Sequence, residues 1–520
     1  MSASTRLACP LYHRFPSHFA TMASSTIGSG RVEKEGVRFT DSPRRGPGAD
    51  LGPGASAYEP LLHEPPPPLG VPGDGAPVAP RAARHERLAA GVNMAKAILG
   101  VGILALPRVF SLLGMGTATI WLVFVALLTY ASMHFLTKAS VRTGLLGYSD
   151  VVREQLGLVG QVFLDLAVIV NGFGMMVIYL VITGDILVGN DDSNGDGGNG
   201  MGKKGGGGGG SDGLLSPECG DRRTVLAVIT VLLLAPLVSA TRARATTGAS
   251  ALGVTAILIW AAATLTLFLV AASNGDLQPM HWWPESRTFK SKGFESAVQM
   301  VAVLPVLTIT FMCQMSLGHA MRDLSYIRTG QMDKVSSVAL SICTVAFLII
   351  SVCSYGLFAK VQPDVLRNFT VDALSGFVWT RLAQAAFMLV RLSFLVSLLA
   401  SFPLHMHPFR DSLWMLLFRQ TLQGPGLWLV TYLALFGVYW AAAYITSIWE
   451  PLIILGSTAG VLIAFIFPGL LAASLEEELA ESRAARRARG LGGALLAVVG
   501  FVIGVAGIVR VIFYRDPISG

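Results

Sequence analysis

From residue 88 onward the chain is a succession of apolar runs, each about twenty residues long, separated by short polar connectors. A bilayer imposes this pattern, because a hydrocarbon core of about 30 Å takes roughly 20 mostly apolar residues per helix. With 52% hydrophobic and only 14% charged residues, the chain could not cover its apolar mass with polar surface in water. In lipid, backbone polar groups must bond within a helix or a closed barrel. The short alternating segments of a barrel are absent, so the runs read as helices. Eleven spans are predicted, at 88–113, 116–138, 158–188, 223–241, 248–272, 294–320, 335–360, 380–404, 426–447, 450–474 and 490–513.

Three segments fall outside this 88–513 domain pattern. Residues 1–87 are rich in Pro, Gly and Ser, with four consecutive prolines at 65–68, and are expected to form a disordered cytosolic tail. The tail starts basic and Ser-rich, as a transit peptide does, but no cleavable apolar signal precedes the first span, which is expected to direct insertion itself. Residues 189–222 form a Gly, Asn and Asp insert with six consecutive glycines, expected to be a flexible outer loop. Its stretch at 197–203 nearly matches a phosphate-binding loop, but Lys204 stands where a magnesium-holding Ser or Thr belongs, so chance repetition explains it better. Residues 514–520 make a short outer C-terminal tail.

The net charge of +7 comes from basic residues scattered through connectors. They read as topology determinants, not as a nucleic-acid surface. Their bias modestly favours a cytosolic N-terminus, which places the sequon Asn368-Phe369-Thr370 in an outer connector as a glycosylation candidate. Cys9 lies in the tail, Cys219 in the insert, and Cys313, Cys343 and Cys353 in apolar runs, with no CxxC pair. No cofactor or metal site is expected.

Span one contains KAILGVGILALPRVF at 96–110, with Gly100 and Gly102 at mid-membrane and Pro107 beyond. A break is expected there. Freed N–H and C=O groups at a mid-membrane break can hold the carboxylate and ammonium of a zwitterion, which makes Gly100, Val101 and Gly102 candidate binding residues. Close helix packing is the alternative use of such glycines. GVGILA also fits a dinucleotide fingerprint, but it follows no strand and no acidic residue stands about twenty positions later. In span six Pro305 is read as the interruption, with Thr308, Thr310, Cys313 and Gln314 following. The threonine hydroxyls could equally bond back to their own helix.

These strings resemble the amino acid/auxin permease family, relatives of the sodium-coupled and proton-coupled or vacuolar neutral amino acid transporters. The likeness continues in FGMMVIYLVITGDIL at 173–187, LPVLTITFMCQ at 304–314, SFPLHMHPFRDSL at 401–413 and GSTAGVLIAFIFPGLL at 456–471. It implies an all-α transmembrane fold of the LeuT-like 5+5 inverted-repeat type, with spans one and six broken and an eleventh helix added. It also implies an amino acid substrate gripped around Gly100, Val101, Gly102, Thr308, Thr310 and Gln314. Where the family often has Cys-His followed by Pro in span six, this chain has Cys313-Gln314 and no Pro, which bears on substrate choice. Relatives often join two outer loops by a disulfide; Cys219 is the one cysteine placed outside, so that bridge is expected to be missing.

Lys96 is the most informative residue. Sodium-coupled relatives typically have Asn at the matching position, whereas proton-coupled and vacuolar ones have Lys. The resemblance therefore favours proton coupling or uniport over sodium, with Lys96, Ser397 and Ser401 as the coupling site. An ammonium facing hydroxyls on span eight could occupy the space of a sodium ion. The alternative is that Lys96 snorkels to the cytosolic interface. Intramembrane carboxylates are costly and usually paired, which makes Asp165 and Asp185 secondary proton-site candidates. Asp185 could instead cap an interface, and Asp165 could pair with Arg391. His319, His405 and His407, near the inner ends of spans six and eight, could tune transport by titrating near neutral pH, but read more simply as inert interfacial residues.

The expected function is secondary active transport of mostly neutral amino acids by alternating access, in the plasma membrane or a vacuolar or lysosomal one. The rival is a non-transporting amino acid sensor that signals through its N-terminal tail. An enzyme is disfavoured, since no HExxH occurs and no paired carboxylates stand at helical spacing within a span. A channel is disfavoured by the lack of a filter-like repeat.

Overall fold

The computed structural model describes residues 80–190, 211–215, 221–240, 246–284, 300–301, 303–324, 328–419, 425–445, 447–475 and 483–513. The tail up to residue 79 with Cys9, and likewise Cys219, the run of glycines and the C-terminal tail, lie outside the described residues.

Among them, eleven spans are present when a bent pair is counted as one. Span one is that pair, residues 84–113, bent by 58° between helices ending at Ile98 and starting at Gly102. The others are Met115–Thr143, Tyr148–Val188, Arg222–Ser239, Ser250–Asn274, Leu304–Arg322, Thr329–Leu357, Thr380–Phe418, Gly426–Tyr444, Trp449–Ser474 and Ala484–Phe513. The first helix starts at Pro80, ahead of the expected boundary at 88. The end of the bundle where span one begins is called the proximal face here, and the opposite end the distal face.

Two boundaries depart from expectation for identifiable reasons. Span three was expected from 158, and the helix from Tyr148 does change direction there: Gly157 takes φ 76°, a conformation that disfavours any side chain. Span eight continues past the predicted end at 404 to Phe418, through Pro403 and Pro408. Neighbouring helices in a bundle tolerate prolines that would end a solvated helix.

Spans three and eight pack side by side, as do five and eight, and ten and eleven. Large apolar side chains left exposed, such as Leu429, Leu433 and Phe436 on span nine and Leu495, Val498 and Val502 on span eleven, form the lipid-facing surface. At the distal end of span three, the edges of the insert pair as a two-residue antiparallel ladder, Gly189 with Asp212 and Asn190 with Ser211.

Span ten is partly π-helical, over Gly456–Gly460 and Leu462–Ile466. Widened turns leave carbonyls available to other helices. Ile463 O accepts the Tyr148 hydroxyl at 2.9 Å, and Ala464 O accepts the Ser132 hydroxyl. Gly456 is needed where span ten meets span six, because a Cβ there would run into the Pro305 backbone.

Candidate functional site

The break in span one falls at residues 99–101, where Gly100 N bonds to Ile98 O over 2.8 Å. The following helix Gly102–Leu113 runs straight through Pro107, so the glycines make the break and the proline does not. Leu104 N bonds to Val101 O at 3.0 Å, and the N–H groups of Gly102 and Ile103 open the helix at the positive end of its dipole.

Span six breaks as well, but not where expected. Pro305 opens the helix Leu304–Thr310 and leaves it intact, as proline does in a first turn. The interruption lies at residues 311–313, before a single 3-10 turn at Gln314–Ser316 and the helix Leu317–Arg322. The two breaks touch: a Cβ on Gly102 would lie 2.7 Å from the Thr310 Cα. The N-terminus of one half-helix thus meets the C-terminus of another.

The structure brings the sequence-predicted residues together in two groups. At the breaks, Gly102, Thr308 and Thr310 are buried, but both threonine hydroxyls turn back, Thr308 onto Leu304 O at 3.0 Å and Thr310 onto Val306 O at 2.7 Å. Gln314 is a brace in this conformation. Its amide nitrogen donates to Ser132 Oγ at 3.1 Å and Ala464 O at 3.3 Å, and its Oε1 accepts Cys313 N–H at 3.0 Å.

The second group surrounds Lys96, which is 1% exposed. Snorkelling is thereby excluded. Its ammonium donates to Ser397 Oγ at 2.9 Å, to Ser401 Oγ at 2.5 Å and to Leu99 O, a carbonyl freed by the break, at 3.3 Å. Ser401 in turn donates to Ser397 O at 2.9 Å.

Two residues of this group, Gly253 and Tyr179, were missed in the sequence, and a third, His405, was misplaced. Gly253 on span five makes room for the lysine stem: a Cβ there would come within 2.8 Å of Lys96 Cδ. Tyr179 faces Gly100, with its hydroxyl 3.4 Å from where a Cβ would stand. Its ring meets His405 edge-on at 5.1 Å, and His405 Nδ1 lies 3.2 Å from Ser401 O. His405 is therefore part of the cluster, not interfacial as expected. Tyr179 was visible only as one letter of a longer string, and Gly253 carried no signal.

The carboxylates lie apart from these groups, near opposite ends of span three. Asp165 accepts the hydroxyls of Ser149 at 2.6 Å and Ser412 at 3.0 Å. It does not pair with Arg391, which sits toward the distal face with Nη1 donating to Ile186 O at 3.4 Å. Asp185, 6% exposed, forms ion pairs with Arg222 at 3.1 Å and Arg367 at 3.0 Å. Arg222 is on span four and Arg367 in the connector between spans seven and eight. That connector also takes Arg108 of span one, whose Nη1 donates to Val361 O at 3.0 Å. Near the proximal face Asn93 donates to Asp323 at 2.6 Å and His134 meets Asp333 at 3.0 Å. Asn368 is engaged within its own connector: its Nδ2 donates to Lys360 O at 2.7 Å and its Oδ1 accepts Gln362 N at 2.8 Å.

Paired breaks in spans one and six, on a bundle of eleven spans, give the LeuT-like fold of two inverted five-helix repeats plus an eleventh helix. The solved manganese transporter of Eremococcus coleocola superposes with a TM-score of 0.53 over 85% of this chain and 91% of that one, at 12% identity. The chain belongs to the family described as transmembrane amino acid transporter protein, which it matches over residues 86–513. Amino acid transporter AVT6E of Arabidopsis thaliana is 26% identical over 80% of this chain and 81% of its own length. Vacuolar amino acid transporter 5 of Schizosaccharomyces pombe is 24% identical over 73% of this chain and 82% of its own.

Proposed function

We propose that this chain carries small neutral amino acids by alternating access, coupled to protons and independent of sodium. The observation that carries the coupling is the Lys96 ammonium, held at the break of span one by two hydroxyls of span eight and by Leu99 O. A fixed cation among oxygen acceptors takes the place a mobile sodium ion would need. Losing one proton removes both a donor and the charge from the contact between spans one and eight, so protonation can be linked to their relative movement.

The substrate carboxylate docks on the N–H groups of Val101 and Gly102, beside Gly100, whose own N–H is held by Ile98 O. Its ammonium meets the carbonyl end of Leu304–Thr310. Neutral side chains are favoured because the buried polar groups at the span-six break are Thr308, Thr310 and Gln314, none of them charged. Gln314 shapes the site from behind, through Ser132 and Ala464. The ion pairs of Asp185 bar the distal path and the Asn93–Asp323 tie the proximal one, so a carrier would release them in turn.

The proximal face is the cytosolic one in this reading, and Asn368 then lies on the outer or lumenal side, where a glycan could be attached before its amide is engaged. The vacuolar name of one relative supports a vacuolar or lysosomal membrane. The test is uptake of labelled neutral amino acids by the full-length protein in liposomes under imposed proton or sodium gradients, beside Lys96→Asn. Proton-driven uptake that the variant loses, or makes sodium-dependent, is the expected result. Uptake driven by sodium in the unaltered protein would refute the coupling, and binding without uptake under either gradient would refute the carrier.

A further inference from the structure

One buried acid has no part in the site just described. Asp364, in the connector between spans seven and eight, is 2% exposed. Its Oδ1 accepts Leu366 N–H at 2.9 Å and caps the turn Val365–Arg367. Its Oδ2 is buried and accepts no hydrogen bond among the described residues. Asp364 lines a small cavity together with Asp185, Ile186, Leu366, Arg367 and Arg391. A desolvated carboxylate oxygen without a donor is costly, and a bound proton removes the charge that makes it so.

Charged groups reach this connector from several elements, among them Arg108 of span one, which holds Val361 O. Asp185 reaches in from span three, Arg367 from the same connector and Arg391 from span eight, while Arg222 of span four holds the far side of Asp185. Arg222 and Arg367 are committed to Asp185, and Arg391 lies over the Phe387 ring at 4.4 Å and donates to Ile186 O. The two carboxylates therefore compete for one set of guanidiniums.

We propose that Asp364 is a proton-binding site that sets a distal latch: protonated, it leaves Arg367 on Asp185 and the distal end shut, and its ionisation draws Arg367 away and opens that end. Burial first, and the charge of Asp185 second, push the Asp364 carboxyl up to about 6, against the pull of Arg367, the Leu366 N–H and Arg391. In an opened connector the same carboxyl would be solvated and beside Arg367, at or below its ordinary value of about 4. The shut form thus binds the proton more tightly. Acid favours it, and its advantage is lost as pH rises through about 6, by about tenfold between pH 5 and pH 7. An acidic distal compartment would hold this end closed, and alkalinisation would release it.

The latch rests on the alternating-access reading, but its readout does not. Spin labels on Thr224→Cys and Lys360→Cys, both exposed positions, would report the separation of span four from the connector. The full-length protein would be measured in lipid nanodiscs, with Cys9 and Cys219 replaced by Ser. The expected result is a rise of about tenfold in the ratio of long to short distances from pH 5 to pH 7. Asp364→Asn should give the short distance at both pH values and Arg367→Gln the long one at both. Identical distributions at the two pH values in the unaltered protein would overturn the proposal, as would an undiminished pH response in Asp364→Asn. A protein that fails to transport yet shows the pH-dependent distance would sink the carrier reading and leave the latch standing.

Discussion

Replacing Gly253 with Ala tests the Lys96 site without touching the lysine or either serine. The added Cβ would stand 2.5 Å from Lys96 Cε and 2.8 Å from Cδ. Ordinary carbon contacts begin near 3.6 Å, so the lysine end must retreat by about 1 Å. The retreat is sterically easy, because the side chain is flexible, but it pulls Nζ from acceptors now at 2.9 Å on Ser397 and 2.5 Å on Ser401. Losing one hydrogen bond from a charged donor costs about 2 kcal/mol. If that bond links protonation to movement, pH-gradient-driven uptake into proteoliposomes should fall about 30-fold. Substrate counterflow, which needs no net proton movement, should be spared. Equal loss of both activities, or no loss of either, would refute the assignment of Lys96 as the coupling group.

Gly102→Ala meets backbone instead of a flexible end, since its Cβ would lie 2.7 Å from Thr310 Cα; spans one and six must part, lowering stability by about 1–3 kcal/mol and abolishing substrate binding in a scintillation-proximity assay. Gln314→Ala removes the links to Ser132 and Ala464 and leaves a cavity, so the midpoint of thermal unfolding should drop by an amount equivalent to about 2–4 kcal/mol whether or not substrate is present. Were Gln314 instead to grip substrate directly, the variant would weaken binding and leave the unfolding midpoint unchanged.

Much of the bundle was legible because a bilayer reads composition directly. Length and apolarity alone mark a span, and all eleven predicted spans overlap observed ones. The break in span one was legible for a similar local reason, the spacing of Gly100 and Gly102. The break in span six was not. Phe311, Met312 and Cys313 include no helix breaker, whereas Pro305, which looks like one, only starts a helix. Asp165 and Arg391 look like partners when distance along the membrane is unknown; in three dimensions Arg391 shares the distal cavity with Asp185, at the other end of span three.

By itself the sequence determined that this chain crosses a membrane many times, which helices do so, and that a lysine lies near a glycine break, because each of these depends on residues close together in the chain. Only the tertiary structure decided what the lysine does there. Its acceptors, Ser397 and Ser401, and the space for its stem, at Gly253, belong to spans five and eight, far along the chain. A buried cation is tolerated only where several helices converge to supply oxygens and room. That convergence is a property of packing, and no local run of residues encodes it.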